Sequence, residues 1–349
     1  MLAVLHIALP FDLVLLTGTE YSFYAIQLDG YEVTVEVPAR SDRPSSPEVP
    51  EHIFLNGKPA LVADVLTVSF RRDSFNRQAL SEIDPPATTI NAVIKSFLER
   101  LKFVARAPQV RPIQFPQCRW HLSYLTDERT ELKKEDAFIR GRGTAQFSFS
   151  YIACDPALWD QVFSLPHEFE APPWHTLLVD SRGALPHVGT AVVLAATALE
   201  VFISDVLHKI ATESTLPADL WGWITDRGDW QKEPSVEEQY SILLQVLCGH
   251  SLKEDGTLWE AFKNLRKARN SFVHEGVAMV GKKPLQASGA MNLIERADQI
   301  VSRVREWLPE GHRWPKFEHA VQMRFQKLIA PSKAEDDESL SDPPNSESA

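Results

Sequence analysis

The run Gly189-Thr190-Ala191-Val192-Val193-Leu194-Ala195-Ala196-Thr197-Ala198-Leu199-Glu200-Val201-Phe202 carries one carboxylate in a nearly apolar stretch. It reads as a long helix, and a helix apolar around most of its surface needs neighbours to cover it. The downstream pattern supplies them. Ser235-Val236-Glu237-Glu238, placed after Pro234, is a capping box that opens a helix through Ile242, Leu243, Val246 and Leu247, ended by Gly249. Thr257-Leu258-Trp259-Glu260 forms a second such box, after which Leu258, Phe262, Leu265 and Phe272 recur at helical spacing until Gly276. Beyond a Gly-Lys-Lys-Pro loop at 281–284, a further helix runs from about Ala287 through Leu293, Ile294, Ala297, Ile300, Val301 and Val304 to Pro309. These four principal helices fit an antiparallel bundle.

Chemistry concentrates at the end of the third. Within Leu265-Arg266-Lys267-Ala268-Arg269-Asn270-Ser271-Phe272-Val273-His274-Glu275-Gly276, three side chains are suited to a phosphate ester. Arginine can hold phosphate through a planar fork of donors, histidine can move a proton near neutral pH, and asparagine can orient an imidazole. At 3.6 residues per turn, Asn270 and His274 lie about 40° apart, whereas Arg269 and His274 are roughly 140° apart. One straight helix therefore does not close a site. Either the last turn unwinds near Gly276, or a second copy of the motif supplies the missing group. His274 also lies near the helix C-terminus, where the dipole and Glu275 favour a cationic ring.

The motif resembles the signature of HEPN domains, in which an arginine, commonly followed by a polar residue, precedes a histidine by four to six positions. The apolar run at 189–202 is similar to the first helix of the Apea-like HEPN branch, and the resemblance covers roughly residues 175–310. It implies a homodimer with two motifs facing one cleft, and a metal-independent, cofactor-free endoribonuclease of toxin, stress or anti-phage type. In that scheme a ribose 2′-hydroxyl attacks the adjacent phosphate and leaves a 2′,3′-cyclic phosphate. His274 would move protons, Arg269 would stabilise the charged phosphorane, Asn270 would orient the site, and Glu200 could pair with Arg269. The alternative is a HEPN-like module that keeps the fold and binds RNA or protein without cutting. A third reading, with the N-terminal half as the enzyme, lacks a recognisable catalytic set.

Charge is unevenly distributed. Residues 1–180 carry 17 Lys+Arg against 23 Asp+Glu, residues 181–330 carry 18 of each, and residues 331–349 carry one against six. The helical part is thus neutral within an acidic chain of net charge −11. Lys263, Arg266, Lys267 and Arg269 give the motif helix a basic stripe, with the first three as candidate RNA contacts, while a sequence-specific DNA reader is not expected. Cys118, Cys154 and Cys248 form no CxxC pair, which points away from a disulfide framework or zinc site and toward a reducing cytoplasm. The apolar start, broken by Pro10 and Asp12 and without a basic leader, reads as a buried strand rather than a signal peptide. No stretch is expected to reach the ~20 apolar residues that span a bilayer.

In the first half, Tyr21–Leu28 and Tyr31–Pro38 flank Asp29-Gly30 as a hairpin, and Ala60–Phe70, Cys118–Leu125 and Phe138–Ile152 read as further strands. Ile90, Val93, Ile94, Phe97, Leu98 and Leu101 define an amphipathic helix, and Pro156–Phe163 a short one. Three features carry less. Asp205 with His208 lacks a third metal ligand, as does His250; Trp221, Trp223 and Trp230 read as a lid on the helical core rather than a base-stacking platform. The segment from Ala334 onward is an acidic tail of disordered composition. The expectation is an α+β chain: a mixed domain over 1–174, a helical domain over 175–330, and the tail over 331–349.

Overall fold

A computed structural model describes residues 1–40, 53–73, 84–125, 131–137, 148–166, 168–213, 217–225 and 233–325. The acidic tail, Trp230, and the part of the expected strand at 138–147 lie outside the described residues. The chain is mixed α/β, with a curled N-terminal sheet and a C-terminal helical region.

The apolar start is strand β1 (Leu2–Leu16), which buries Ala3, Leu5, Ile7, Leu9, Phe11 and Leu13 by strict alternation. Register slips between Ala8 and Leu13, around Pro10, which has no N–H to give to a ladder. β1 runs antiparallel to β5 (Lys58–Arg71) on both sides of that slip. On its other edge the slip marks a change of neighbour. Residues 2–7 pair with β6 (Trp120–Leu125), and residues 12–15 pair in parallel with β8 (Ser148–Cys154). The hairpin β2 (Tyr24–Leu28) and β3 (Tyr31–Val35) turns at Asp29 and Gly30, with φ of 51° and 80°, the positive values a tight two-residue turn requires. Short β4 (Ile53–Leu55) joins β5, and β7 (Glu131–Ala137) joins β6.

Helix α1 (Ala87–Ala105) lays Ile90, Ile94, Phe97, Leu98 and Leu101 into the sheet's core, where Trp159 of α2 (Pro156–Ser164) meets Phe97 at 5.9 Å between ring centroids. The helical region begins with α3 (Pro173–Gly183) and α4 (Val188–Glu213). Around α4 pack α3, a composite helix α6 (residues 236–248), α7 (Gly256–Glu275) and α8 (Ala287–Trp307), with the shorter α5 (Ala218–Thr225) beside it. Ala191, Ala195, Leu199, Phe202 and Ile203 of α4 are buried in the second core, which is separate from that of the sheet. By length and composition α4 is long and apolar enough to cross a membrane, contrary to the expectation that no stretch approaches that length. Much of it is consumed as the core of the helical region instead.

α6 is composite. The Ser235 capping box opens Val236–Glu238, a π turn follows at Gln239–Leu243, and Leu244–Cys248 completes the helix before Gly249 in the left-handed region. The helical region also holds a small ribbon, β9 (Met279–Val280) with β10 (Lys283–Pro284). Residues 321–325, expected in the helical domain, form β11 (Val321–Phe325) and pair with β8 of the N-terminal sheet. The helical part therefore ends before 321, and the chain returns to its first half.

Candidate nucleic-acid interface

The third expected helix is α7, and its start differs from the sequence reading. Asp255, not Thr257, is the cap: its carboxylate accepts the Leu258 N–H at 3.1 Å. Glu260, the other member of the expected box, instead pairs with Lys263 at 2.5 Å. The buried face is Leu258, Phe262, Leu265 and Ala268. At the far end Gly276, with φ of 75°, closes the helix, its N–H donating to Phe272 O at 2.9 Å.

The last turn is held rather than unwound. Ser271 Oγ donates to Ala268 O at 3.1 Å and accepts the Met279 N–H at 2.7 Å, tying the small ribbon to the helix. Phe272 lies so close to α4 that a Cβ built on Gly189 would stand 2.0 Å from its ring. Thus the first of the two geometric alternatives, local unwinding, does not occur here.

Arg269 reaches its neighbour by side chain instead. Its Nη1 donates to Asn270 Oδ1 at 3.1 Å, while its Nε is buried without a hydrogen-bond partner. Asn270 and His274 are exposed, one turn apart on the same side of the helix. The structure thus joins Arg269 to Asn270 and lines Asn270 up with His274. It does not join Glu200 to the group: among the described residues no ion pair links Glu200 with Arg269. Glu200 acts instead on Tyr240, whose phenol is held well above its ordinary pKa by complete burial first and by that carboxylate second. Tyr240 Oη donates to Leu199 O at 2.9 Å, and its ring packs 4.8 Å from Phe262.

The basic stripe divides. Lys263 is taken by Glu260, and Arg266 pairs with Glu237 of α6 at 2.5 Å while covering the Phe262 ring. Lys267 is exposed, and Arg269 meets an amide rather than a carboxylate. Among the described residues, positive charge on the stripe that no carboxylate pairs with therefore lies at its motif end. Val273, 52% exposed, and Val277, 47% exposed, flank His274.

The demoted features sit apart from this surface chemistry. Asp205 pairs with Lys209 at 3.0 Å, and His250 stacks on Trp307 and meets Glu254 at 3.2 Å. Among the described residues no three His, Cys, Asp or Glu side chains converge as a metal site. Trp221 packs against the helical core, whereas Trp223 is 58% exposed, so only one of the described pair acts as a lid. Sequence reasoning gave no hint of a charged cluster between the two halves: Arg106 and Arg182 both engage Asp298, and His319 lies 3.7 Å from the same carboxylate. Its members are far apart in sequence and form no local motif. Comparison with protein-family models, curated proteins and solved structures finds no match to this chain.

Proposed function

We propose that the helical region is a HEPN-like bundle that cleaves RNA without a metal ion, using Arg269, Asn270 and His274, with two copies facing one cleft. The observation that supports this most is the state of the cations on α7. Lys263 and Arg266 are neutralised by carboxylates, while Arg269 keeps its charge beside Asn270 and on the same exposed helix end as His274. A guanidinium held by an amide is ready to exchange that weak partner for phosphate oxygens, which bind it more strongly. His274 then serves as proton carrier for attack by the ribose 2′-hydroxyl, and Asn270 positions both neighbours. Lys267 adds a phosphate contact. Glu200 has no direct part in this scheme.

The exposed valines beside His274 support the second copy, since apolar side chains bracketing a polar site suit a surface closed by a partner. Light scattering is expected to report twice 39.3 kDa. Incubation with mixed RNA in EDTA is expected to yield fragments ending in 2′,3′-cyclic phosphate. His274→Ala and Arg269→Ala should each slow cleavage by roughly two orders of magnitude or more with helical circular dichroism unchanged. Arg269→Lys separates fork from charge: activity stays low if bidentate contact matters. Full activity in folded His274→Ala protein would end this reading.

A second reading is favoured by the same valines together with exposed Ile242 and Val246 on α6. A surface of that kind fits a docking module without catalysis. RNA that remains intact under a dimeric, RNA-binding protein would select it.

A further inference from the structure

A half-open cavity of about 410 Å³ lies between α1 and α3. That volume lies within the range of small-molecule sites, roughly 300–1,000 Å³. Leu98, Phe103, Val110, Ile113 and Ala171 give it an apolar wall. His175 also lines it, although the residue is only 6% exposed, with its ring 4.4 Å from Phe103 and 5.6 Å from Trp174. Among the described residues no group hydrogen-bonds its ring nitrogens. The ring thus has hydrogen-bonding capacity to spare where His175 lines a space that a ligand can fill.

The surroundings decide the sign of that ligand. His175 is pushed down to about 3 by burial, then by the charges of Arg106, His319, Arg182 and Lys102, so the ring is neutral at pH 7 and carries one N–H donor. Arg106 and Arg182 share the single carboxylate of Asp298, so positive charge is in excess there. Arg106 Nε and Arg182 Nη1 are themselves buried without partners. At the rim, Lys95 pairs with Glu99 at 3.7 Å and Lys102 with Asp180 at 2.5 Å, while Arg111 is exposed with no carboxylate partner among the described residues. Glu170 is the opposing rim charge, and it is exposed to water.

We propose that this cavity binds a small monocarboxylate with an apolar body, whose carboxylate accepts the His175 N–H and whose body lies against Leu98, Val110 and Ile113. An apolar wall alone would accept any greasy molecule. Two guanidiniums sharing one carboxylate near His175, with Arg111 at the rim, favour a negative head group over a positive one. The site is independent of the RNA-cleavage reading and is tested without RNA.

Equilibrium dialysis of the full-length protein against radiolabelled decanoate, with labelled decylamine as the cationic counterpart, tests it. One decanoate per chain is expected, with decylamine at least tenfold weaker. His175→Phe keeps the aromatic packing on Phe103 and removes the donor, so decanoate affinity should fall roughly tenfold, the equivalent of about 1.4 kcal/mol. Ile113→Trp fills the hollow and should abolish binding, and Glu170→Gln should tighten it. Should His175→Phe fail to fold by circular dichroism, Ile113→Trp and the exposed Arg111→Glu, expected to weaken binding severalfold, still decide the matter. The proposal is overturned by no decanoate binding, by decylamine binding as well as decanoate, or by affinity unchanged in Ile113→Trp and lost instead in Ile242→Glu or Val246→Glu.

Discussion

Gly189 shows how one missing side chain positions the proposed motif. An added Cβ would stand 2.0 to 2.3 Å from three carbons of the Phe272 ring, so the ring as a whole would have to move. Phe272 lies between Asn270 and His274 in sequence, and its inward packing fixes the rotation with which those two reach water. Gly189→Ala should therefore destabilise the protein by about 1–3 kcal/mol, as overpacking generally does. Combining it with Phe272→Ala should cost less than the two changes added together, because the second removes the clash made by the first. Strict additivity in urea melts would show that the ring yields without cost. At this scale the sequence was partly readable. The closeness of Arg269 to Asn270 follows from their adjacency, and that of Asn270 to His274 from helical period. The partner of Glu200 did not follow, since it depends on how α4 and α6 are rotated against each other, and no local pattern encodes that rotation.

At the scale of elements, the start of α7 departs from the sequence expectation for an identifiable reason. Asp255 and Thr257 are both good capping residues, and Thr257 also had a glutamate three positions on. The structure uses Asp255, and Glu260 turns to Lys263. Asp255→Ala should then cost about 1 kcal/mol, with a small addition from its 3.7 Å contact to Arg303, while Thr257→Ala should stay within about 0.5 kcal/mol. Urea midpoints of the two variants check the assignment; a larger loss at Thr257 would reverse it. Elsewhere, long periodic segments were legible: β1, the Asp29-Gly30 hairpin, α1, the Ser235 box, and α8. Missed were β4, β7 and β11: the first two are hairpin partners of neighbouring strands, β4 through a local Asn56-Gly57 turn signal, while β11 is a strand because of β8, far away in the chain. The π turn in α6 was also invisible, because a single widened turn hardly disturbs the spacing of Leu243 and Leu247.

Across the whole molecule, the two halves meet through charge as well as apolar contact. Lys102 of α1 binds Asp180 of α3, Arg106 and Arg182 converge on Asp298 of α8, and Phe103 packs on His175 and Phe317. With β11 completing the N-terminal sheet after the helices, unfolding one half disturbs the other, and a division at residue 174 describes composition better than stability. This interface makes acid the natural stress. In the unfolded chain His175 takes up a proton below its ordinary value near 6.5, but in the folded protein it stays neutral until about 3. The unfolded state thus binds more protons throughout that window, so stability is fully present above about 6.5 and is lost as the pH falls. At about 1.4 kcal/mol per unit, His175 alone should remove about 2 kcal/mol between pH 6.5 and 5, above the range where ordinary carboxylates titrate. His319 is likewise held at about 3, chiefly by burial, but it is more open to water and should add less. Urea unfolding at pH 7 and pH 5 measures the slope, and His175→Phe should flatten most of it while leaving the pH 7 midpoint nearly unchanged. If wild type and variant lose stability in parallel over that interval, the proton goes elsewhere, and the buried ring at the junction is not what ties the two halves to neutral pH.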